Sequence, residues 1–168
     1  MNDDNSVTHE TDAMLTSDLD LHTCAKVVIE KVYEGASIPE YATHGSAGLD
    51  FIYPYPERIT FYPGDTRLIQ TGLKMQIPLN TVLMLYIRSG MALKHGLTLG
   101  NGSGVIDSDY RGEIGLIIHN NHRHNCFELL PGMRIAQGVL QHCLRMSFTE
   151  ETVSETKRGA GGFGSTGQ

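Results

Sequence analysis

The chain has 168 residues, including 19 glycines, and its formal net charge at pH 7 is −6. This length predicts one domain with a substantial core, or one subunit of a larger assembly. No apolar run approaches the roughly 20 residues of a membrane span. The N-terminus also lacks the basic and apolar regions of a signal peptide. We therefore expect neither a membrane partner nor secretion.

The negative charge is concentrated at the N-terminus. Residues 1–24 contain six acidic residues and no Lys or Arg, while the remainder contains 13 residues of each sign. A neutral body argues against nucleic-acid binding, which requires a basic face. We predict a disordered acidic tail over residues 1–24, a β domain over residues 25–156 and a flexible glycine-rich segment over residues 157–168. Whether this tail binds a partner is left open by the sequence.

The three cysteines, Cys24, Cys126 and Cys143, are scattered and form no C-x-x-C pair. An odd, scattered set is typical of free thiols in a reducing compartment. The sequence therefore favours an intracellular location, cytoplasm or nucleus.

Short apolar segments separated by turn residues run through the middle of the chain. A first strand is predicted over residues 25–33, and a second begins within residues 46–51. Further strands are predicted over residues 58–61, 67–77, 81–87, 126–130 and 134–144. One short helix is predicted from Ser89 to Lys94, with Ser89 as its N-cap and Gly96 just after its end. Many short strands with frequent turns predict an all-β sandwich or barrel.

The stretch from residue 104 to 115 has the pattern of a β-hairpin: strand, polar turn, strand. Within five positions the turn carries two carboxylates, a phenol and a guanidinium: Asp107, Asp109, Tyr110 and Arg111. One acidic residue would be ordinary in a turn. This density of reactive groups instead indicates a functional site, in which Asp109 and Arg111 are expected to hold the turn.

Five segments, in order, resemble the five motifs of the homotrimeric dUTP pyrophosphatases (dUTPases). They are SAGLDF (46–51), RSGMALKHG (88–96), GVIDSDYRGEIG (104–115), GMRIAQ (132–137) and RGAGGFGSTG (158–167). Five matches in order are far more specific than one. The resemblance covers nearly everything from Ala25 onward. It implies a distorted jelly-roll or β-sandwich subunit with one short helix, forming a homotrimer whose sites lie between subunits.

The resemblance also implies hydrolysis of dUTP to dUMP and pyrophosphate, which limits uracil in DNA and supplies dUMP for dTMP synthesis. Such a reaction needs an activated water, neutralised phosphates and in-line positioning. In the family the general base corresponds to Asp107, which would activate the water that attacks the α-phosphate. The family cofactor is Mg²⁺, held mainly by the phosphates, and Asp50 would contact it through water.

The resemblance assigns the remaining motif residues to the substrate. Tyr110 would pack under the deoxyribose and leave no room for a 2′-hydroxyl. Uracil would be read by Asn101 and by the backbone of Gly104, Val105 and Ile106. The phosphates would be bound by residues of the second, fourth and fifth motifs: Arg88, Ser89, Gly90, Gln137, Arg158, Ser165 and Thr166. Phe163 would stack on uracil, with Gly164 beside it, as the C-terminal segment closes like a lid.

Several alternatives remain open from the sequence. Arg134 either binds phosphate or forms a structural ion pair. Composition alone makes the C-terminal segment a linker. A dCTP deaminase, similar in fold, would carry a catalytic Glu where this chain has Ile117. A non-enzymatic regulator on the same fold is a third class. A zinc site is a further possibility, from four residues of suitable type: His119, His122, His124 and Cys126.

Overall fold

The structure, a computed structural model, describes residues 24–162 and Ser165. Nearly all of the predicted acidic tail, residues 1–23, lies outside the described part of the chain, as do Phe163, Gly164 and Thr166. In the described part, no helix combines the length and apolar character needed to cross a membrane.

Nearly all regular structure is β-strand, and one short helix is also described. The elements in chain order are β1 (Val28–Lys31), β2 (Glu40–Tyr41), β3 (Leu49–Ile52), β4 (Ile59–Phe61), β5 (Thr66–Gln70), β6 (Leu73–Gln76), β7 (Thr81–Ile87), α1 (Ser89–His95), β8 (Leu97–Leu99), β9 (Gly104–Asp107), β10 (Gly115–Asn120), β11 (Phe127–Leu129) and β12 (Arg134–His142). The predicted all-β class is confirmed.

The strands form one five-stranded sheet and three smaller sheets, with antiparallel pairing throughout. The five-stranded sheet has the order β2-β3-β12-β7-β9, and a three-stranded sheet has the order β5-β10-β8. The pairs β1-β6 and β11-β4 complete the described sheets. Apolar side chains from the sheets pack into one core, which includes Phe51, Phe61, Leu85 and Ile118. This shared core makes the subunit a β-sandwich.

Alternation along the strands explains which side chains enter the core. In β7, Thr81, Leu83 and Leu85 are buried, while the intervening residues are only partly buried. In β10, Leu116 and Ile118 are buried, while Ile117 between them is exposed. A period of two residues is the signature of strands with one face against a core.

One predicted strand is in fact two strands. Residues 67–77 divide into β5, which pairs with β10, and β6, which pairs with β1. The break falls at Gly72, whose φ of +72° is in the left-handed region. A Cβ at this position would also lie 2.8 Å from the Cβ of Ala36. The glycine therefore allows the chain to change sheets at a turn where a larger residue would be strained.

The predicted hairpin over residues 104–115 is wrong. β9 pairs with β7, whereas β10 pairs with β5 and β8, so the two strands belong to different sheets. The polar residues between them cross from one sheet to the other. Short-range sequence pattern cannot distinguish this crossing from a tight turn, because the partners of both strands lie elsewhere in the chain.

The short helix begins differently from the prediction and ends as predicted. Arg88 occupies the N-cap position and Ser89 is the first helical residue; in the described structure no side-chain hydrogen bond caps this end. Gly96 ends the helix with φ of 65°, and its N–H donates to the carbonyls of Ala92 and Met91. The Ser89 hydroxyl is therefore available at the surface instead of capping its own helix.

Candidate active site

Three of the five motif segments meet at one surface depression of about 340 Å³. β12 lies between β3 and β7, and Gln137 pairs with Asp50 on one side and Tyr86 on the other. Arg88 and Ser89 follow directly at the end of β7. This register brings four predicted site residues to one depression: Asp50, Arg88, Ser89 and Gln137.

Asp50 is the centre of a charged group in this depression. Its Oδ1 lies 2.9 Å from Arg88 Nε, and its Oδ2 lies 3.3 Å from Arg134 Nη1. The Asp50 side chain is only 12% exposed, while those of Arg88 and Arg134 are 31% and 52% exposed. The carboxylate thus orients two guanidiniums. Arg88 Nη1 also donates to the Arg134 carbonyl at 3.5 Å, and the exposed parts of both guanidiniums could donate to an anion.

Asp107 does not reach this depression within one chain. It pairs with Val82, near the start of β7, whereas Arg88 follows the end of the same strand. Six residues of strand at about 3.3 Å each separate these points by roughly 20 Å. A single subunit therefore holds the candidate general base and the candidate phosphate-binding residues at opposite ends of one strand.

Tyr110 and Arg111 follow Asp107 in the segment that crosses between the sheets. Arg111 Nη1 donates to the carbonyls of Ser108 and Tyr110, both at 2.9 Å, so this guanidinium stabilises the turn. The Tyr110 hydroxyl donates to the carbonyl of Glu113 at 3.0 Å, and the residue as a whole remains 42% exposed. Glu113 was not singled out from the sequence. A carboxylate directly before the buried Ile114 was the available signal.

The predicted uracil-reading residues lie around the strand ends of β8 and β9. Asn101 is exposed and lines a second depression of about 420 Å³, together with Thr98, Ile117 and His119. Gly104 is buried against Leu85, and Val105 is exposed. Because Ile117 occupies the position proposed for a deaminase carboxylate, that acid is missing from this surface.

The described residues at the start of the C-terminal segment, 157–160, form an exposed turn in which the Gly159 N–H donates to the Thr156 carbonyl at 3.0 Å. Arg158 Nε donates to the carbonyl of Gly161 at 2.9 Å, and Ser165 is exposed. In the described part of the chain, no residue of this segment lines either depression. Phe163, Gly164 and Thr166 lie outside the described residues.

The histidine-rich loop is organised by hydrogen bonds. Backbone N–H groups of His124 and Asn125 donate to His122 Nδ1 at 3.2 and 3.0 Å. Among residues 24–162 and Ser165, no group of three His, Cys, Asp or Glu side chains is placed to hold a metal. The four residues considered for zinc are therefore not assembled into a site in the described structure.

Comparison with known sequences identifies the family. The sequence model of the dUTPase family matches residues 34–167. The chain belongs to the dUTPase family. A deoxyuridine 5′-triphosphate nucleotidohydrolase from Chlamydia pneumoniae is 47% identical over 135 residues, covering 79% of this chain and 92% of that protein. All five motif segments lie within the matched range.

Solved structures show the same fold. The dUTPase of Staphylococcus bacteriophage 80alpha with dUPNHPP has a TM-score of 0.75 and 26% identity, covering 85% of this chain and 99% of that one. A mutant dUTPase from phage phi11 of S. aureus, described with a structural Mg(II) ion, has a TM-score of 0.69 and 22% identity, covering 78% and 99%. The predicted distorted jelly-roll subunit with one short helix is confirmed.

Proposed function

We propose that this dUTPase-family chain hydrolyses dUTP to dUMP and pyrophosphate in a homotrimer whose active sites lie between subunits. Membership of the family supports the reaction class, dUTP diphosphatase. The observation that supports a shared site is the distance along β7 between Asp107 and Arg88. Asp107 lies roughly 20 Å from the end of β7 that bears Arg88, which supports a site in which a neighbouring copy supplies the base.

The segment after β12 supports assembly. Leu144, Met146 and Phe148 recur every second residue and are 96%, 79% and 82% exposed. Alternating apolar residues on an extended segment form one apolar face, which is costly to leave in water. We infer that a second copy of the chain covers this face in the assembly.

In the assembled site, the depression would bind the triphosphate. Arg88 and Arg134, oriented by Asp50, would donate charge-assisted hydrogen bonds to phosphate oxygens. Ser89, Gly90 and Gln137 would add neutral donors at the same place. Fixed donors that need no rearrangement stabilise the charge that develops during phosphoryl transfer.

Asp107 of the neighbouring copy would act as the general base. Its carboxylate would orient a water molecule in line with the α-phosphate and accept its proton as the water oxygen attacks. The bond between the α-phosphorus and the oxygen that bridges to the β-phosphate then breaks, and pyrophosphate leaves with that oxygen. Asp107 is exposed in the isolated subunit, so its environment during catalysis depends on the assembly.

The residues present fit a Mg²⁺ that the substrate phosphates carry. Both Asp50 oxygens already face guanidiniums, which suits contact with the ion through water better than direct ligation. Bound Mg²⁺ would neutralise phosphate charge and help to align the triphosphate. Asp50 would then serve two groups, the guanidiniums directly and the hydrated ion indirectly.

Substrate selection would depend on the third and fifth motifs. The Tyr110 ring would exclude ribose, and the backbone of Gly104, Val105 and Ile106, with Asn101, would read uracil. The fifth motif would close over the bound nucleotide through Phe163, Gly164 and three phosphate-contacting residues: Arg158, Ser165 and Thr166. Closure would exclude bulk water from the phosphates.

A pyrophosphate-release assay with Mg²⁺ across the dNTPs and UTP tests the activity. We expect turnover of dUTP with strong discrimination against dTTP, dCTP and UTP. Light scattering at micromolar concentration tests the assembly, for which we expect three copies. An active monomer would refute the shared site, and release of pyrophosphate from dCTP at a rate similar to that from dUTP would refute the substrate.

A further inference from the structure

The side chain of Glu113 attaches the sheet-crossing segment to the body of the subunit. Its Oε1 accepts hydrogen bonds from the backbone N–H of Gly72 at 2.7 Å and from the Tyr55 hydroxyl at 3.0 Å. Hydrogen bonds to an ionised carboxylate are shorter and stronger than those between neutral groups. Glu113 is therefore held at two points that belong to other parts of the chain.

The main chain of Glu113 holds the phenol of Tyr110. The Tyr110 hydroxyl donates to the Glu113 carbonyl at 3.0 Å. Between them, the Tyr110 ring lies across Gly112, where any side chain would overlap it. The position of the ring thus depends on the position of the Glu113 backbone. The Glu113 side chain holds this backbone on one side, and the Ile114 N–H, which donates to the Leu73 carbonyl at 2.8 Å, holds it on the other.

Both anchors of Glu113 are themselves fixed. The carbonyl of Gly72 accepts the N–H of Val32 at 2.9 Å and that of Tyr33 at 3.3 Å. The Tyr55 ring stacks on Tyr33 with centroids 4.7 Å apart and planes at 27°. Aromatic stacking and backbone hydrogen bonds restrict both groups, so they can hold the segment in one place.

The Tyr55 hydroxyl remains a donor at ordinary pH. Burial, followed by the hydrogen bond and charge of Glu113, raises the pKa of Tyr55 to about 12. The contact therefore persists throughout the neutral range in which hydrolysis would be measured.

We propose that Glu113 is a positioning residue that sets the preference for deoxyribose over ribose by fixing the Tyr110 ring. The inference rests on the proposed function, because the ring matters only if a nucleotide sugar lies against it. A ring that can move makes room for a 2′-hydroxyl, whereas a fixed ring excludes it. Glu113 itself touches neither sugar nor phosphate in this arrangement.

The test compares Glu113→Ala with Glu113→Gln, using kcat/KM for dUTP and for UTP. Alanine removes the acceptor, so we expect the dUTP/UTP ratio to fall about tenfold, with kcat for dUTP changed only a few-fold and KM raised. Glutamine keeps an acceptor oxygen at the same reach and should retain most of the ratio. Tyr55→Phe removes one of the two donors and should lower the ratio by a smaller factor.

Two further variants calibrate the measurement. Tyr110→Ala removes the ring and sets the full loss of sugar selectivity. Glu128→Gln changes an exposed glutamate, paired with Arg58 at 3.4 Å on β11, and should leave the ratio unchanged. Loss of folded protein lowers both rates by the same factor, so the ratio reports the position of the ring and not stability.

The outcomes separate this inference from the proposed function. A wild-type chain that does not hydrolyse dUTP refutes the function before any variant is compared. An active wild type with an unchanged ratio in Glu113→Ala refutes the role of Glu113 alone, as does a Glu113→Gln variant that loses as much selectivity as alanine. If Glu113→Ala does not fold, an unchanged ratio in Tyr55→Phe is the contradicting result.

Discussion

The depression around Asp50 and the segment from Asp107 to Glu113 are built in opposite ways. In the depression, three distant parts of one chain are joined by strand register and by two ion pairs to one carboxylate. In the segment, Asp107 and Tyr110 are exposed, and Asp107 lies roughly 20 Å from the end of β7 that bears Arg88. One subunit thus brings Asp50, Arg88, Ser89 and Gln137 together at one depression, whereas in the proposed shared site Asp107 and Tyr110 would act in another copy.

This contrast predicts which copy's site each mutation affects. A change in the depression alters the subunit that carries it, because its partners belong to the same chain. In the proposed shared site, a change at Asp107 or Tyr110 is expected to alter the site of a neighbouring copy.

Asp107→Asn should lower kcat for dUTP by ~10²–10⁴-fold, the usual contribution of a general base. The amide keeps the shape and one hydrogen bond, so binding of dUTP and the oligomeric state should not change. Single-turnover kinetics at varied dUTP concentration measure the chemical rate and the binding of dUTP, and light scattering measures the oligomeric state. Asp109→Asn, two residues further along the same exposed segment, is the matched control and should keep turnover within a few-fold. More than about a tenth of wild-type kcat in Asp107→Asn would exclude this residue as the base.

Deleting residues 158–168 should lower kcat/KM for dUTP by about 10²-fold or more, because closure over the phosphates is lost. Affinity for dUMP should change much less, since dUMP lacks the outer phosphates that the segment would bind. The core fold and assembly should persist. Calorimetric titration with dUMP, together with steady-state kinetics, measures the contrast. A deletion variant with near wild-type kcat/KM would show that the segment is a linker.

Asp50→Asn should lower kcat/KM for dUTP by about 10- to 100-fold and reduce thermal stability, because two guanidiniums lose their shared carboxylate. Asp65→Asn is the matched control. It removes another Asp–Arg pair, with Arg67 at 3.1 Å, away from the depression. We expect the control to keep kcat/KM. Equal effects of the two substitutions on kcat/KM would mean that the Asp50 group is structural only.

The smallest effect concerns the attachment of the segment to the body. The pKa of Tyr55 is raised to about 12 from the value of 10.0 expected without the fold. A raised folded-state pKa contributes stability that is present below pH 10 and is lost as pH rises towards 12. Tyr55→Phe should therefore show a shallower loss of unfolding free energy over this window than the wild type. Urea unfolding at several pH values between 10 and 12 measures this. An equal decrease of unfolding free energy with pH in the two proteins would contradict the raised pKa of Tyr55.

Much of the local structure followed from the sequence. The strand at residues 81–87 and the end of the helix at Gly96 were predicted from apolar pattern and from glycine chemistry. The break at Gly72 was missed because residues 67–77 keep a strand-like pattern across it. The predicted pairing of β9 with β10 was wrong because each strand pairs with strands elsewhere in the chain. Pairing between distant segments leaves no signal in the local sequence.

The candidate site was predictable in its residues and not in its arrangement. Asp50, Arg88, Ser89 and Gln137 were identified from motif segments, and the register of β12 explains how they meet. A structural ion pair was one of the two roles left open for Arg134, but Asp50 as the shared partner of Arg134 and Arg88 could not be read from sequence, since it depends on side-chain direction at a strand end. Glu113 was missed for a similar reason, because its two donors lie about 40 and 60 residues earlier in the chain.

The most direct test of a shared site is to combine two inactive variants in one assembly. Asp107→Asn and Arg88→Ala, co-expressed with different tags and purified through both, should form mixed trimers. A site that takes Arg88 from one copy and Asp107 from the next is intact when the first copy is Asp107→Asn and the second is Arg88→Ala. In a cyclic trimer of either mixed composition, about one site in three is intact. Recovery of roughly a third of wild-type dUTP turnover is the result expected from this symmetry, and activity no higher than that of the separate variants would contradict it.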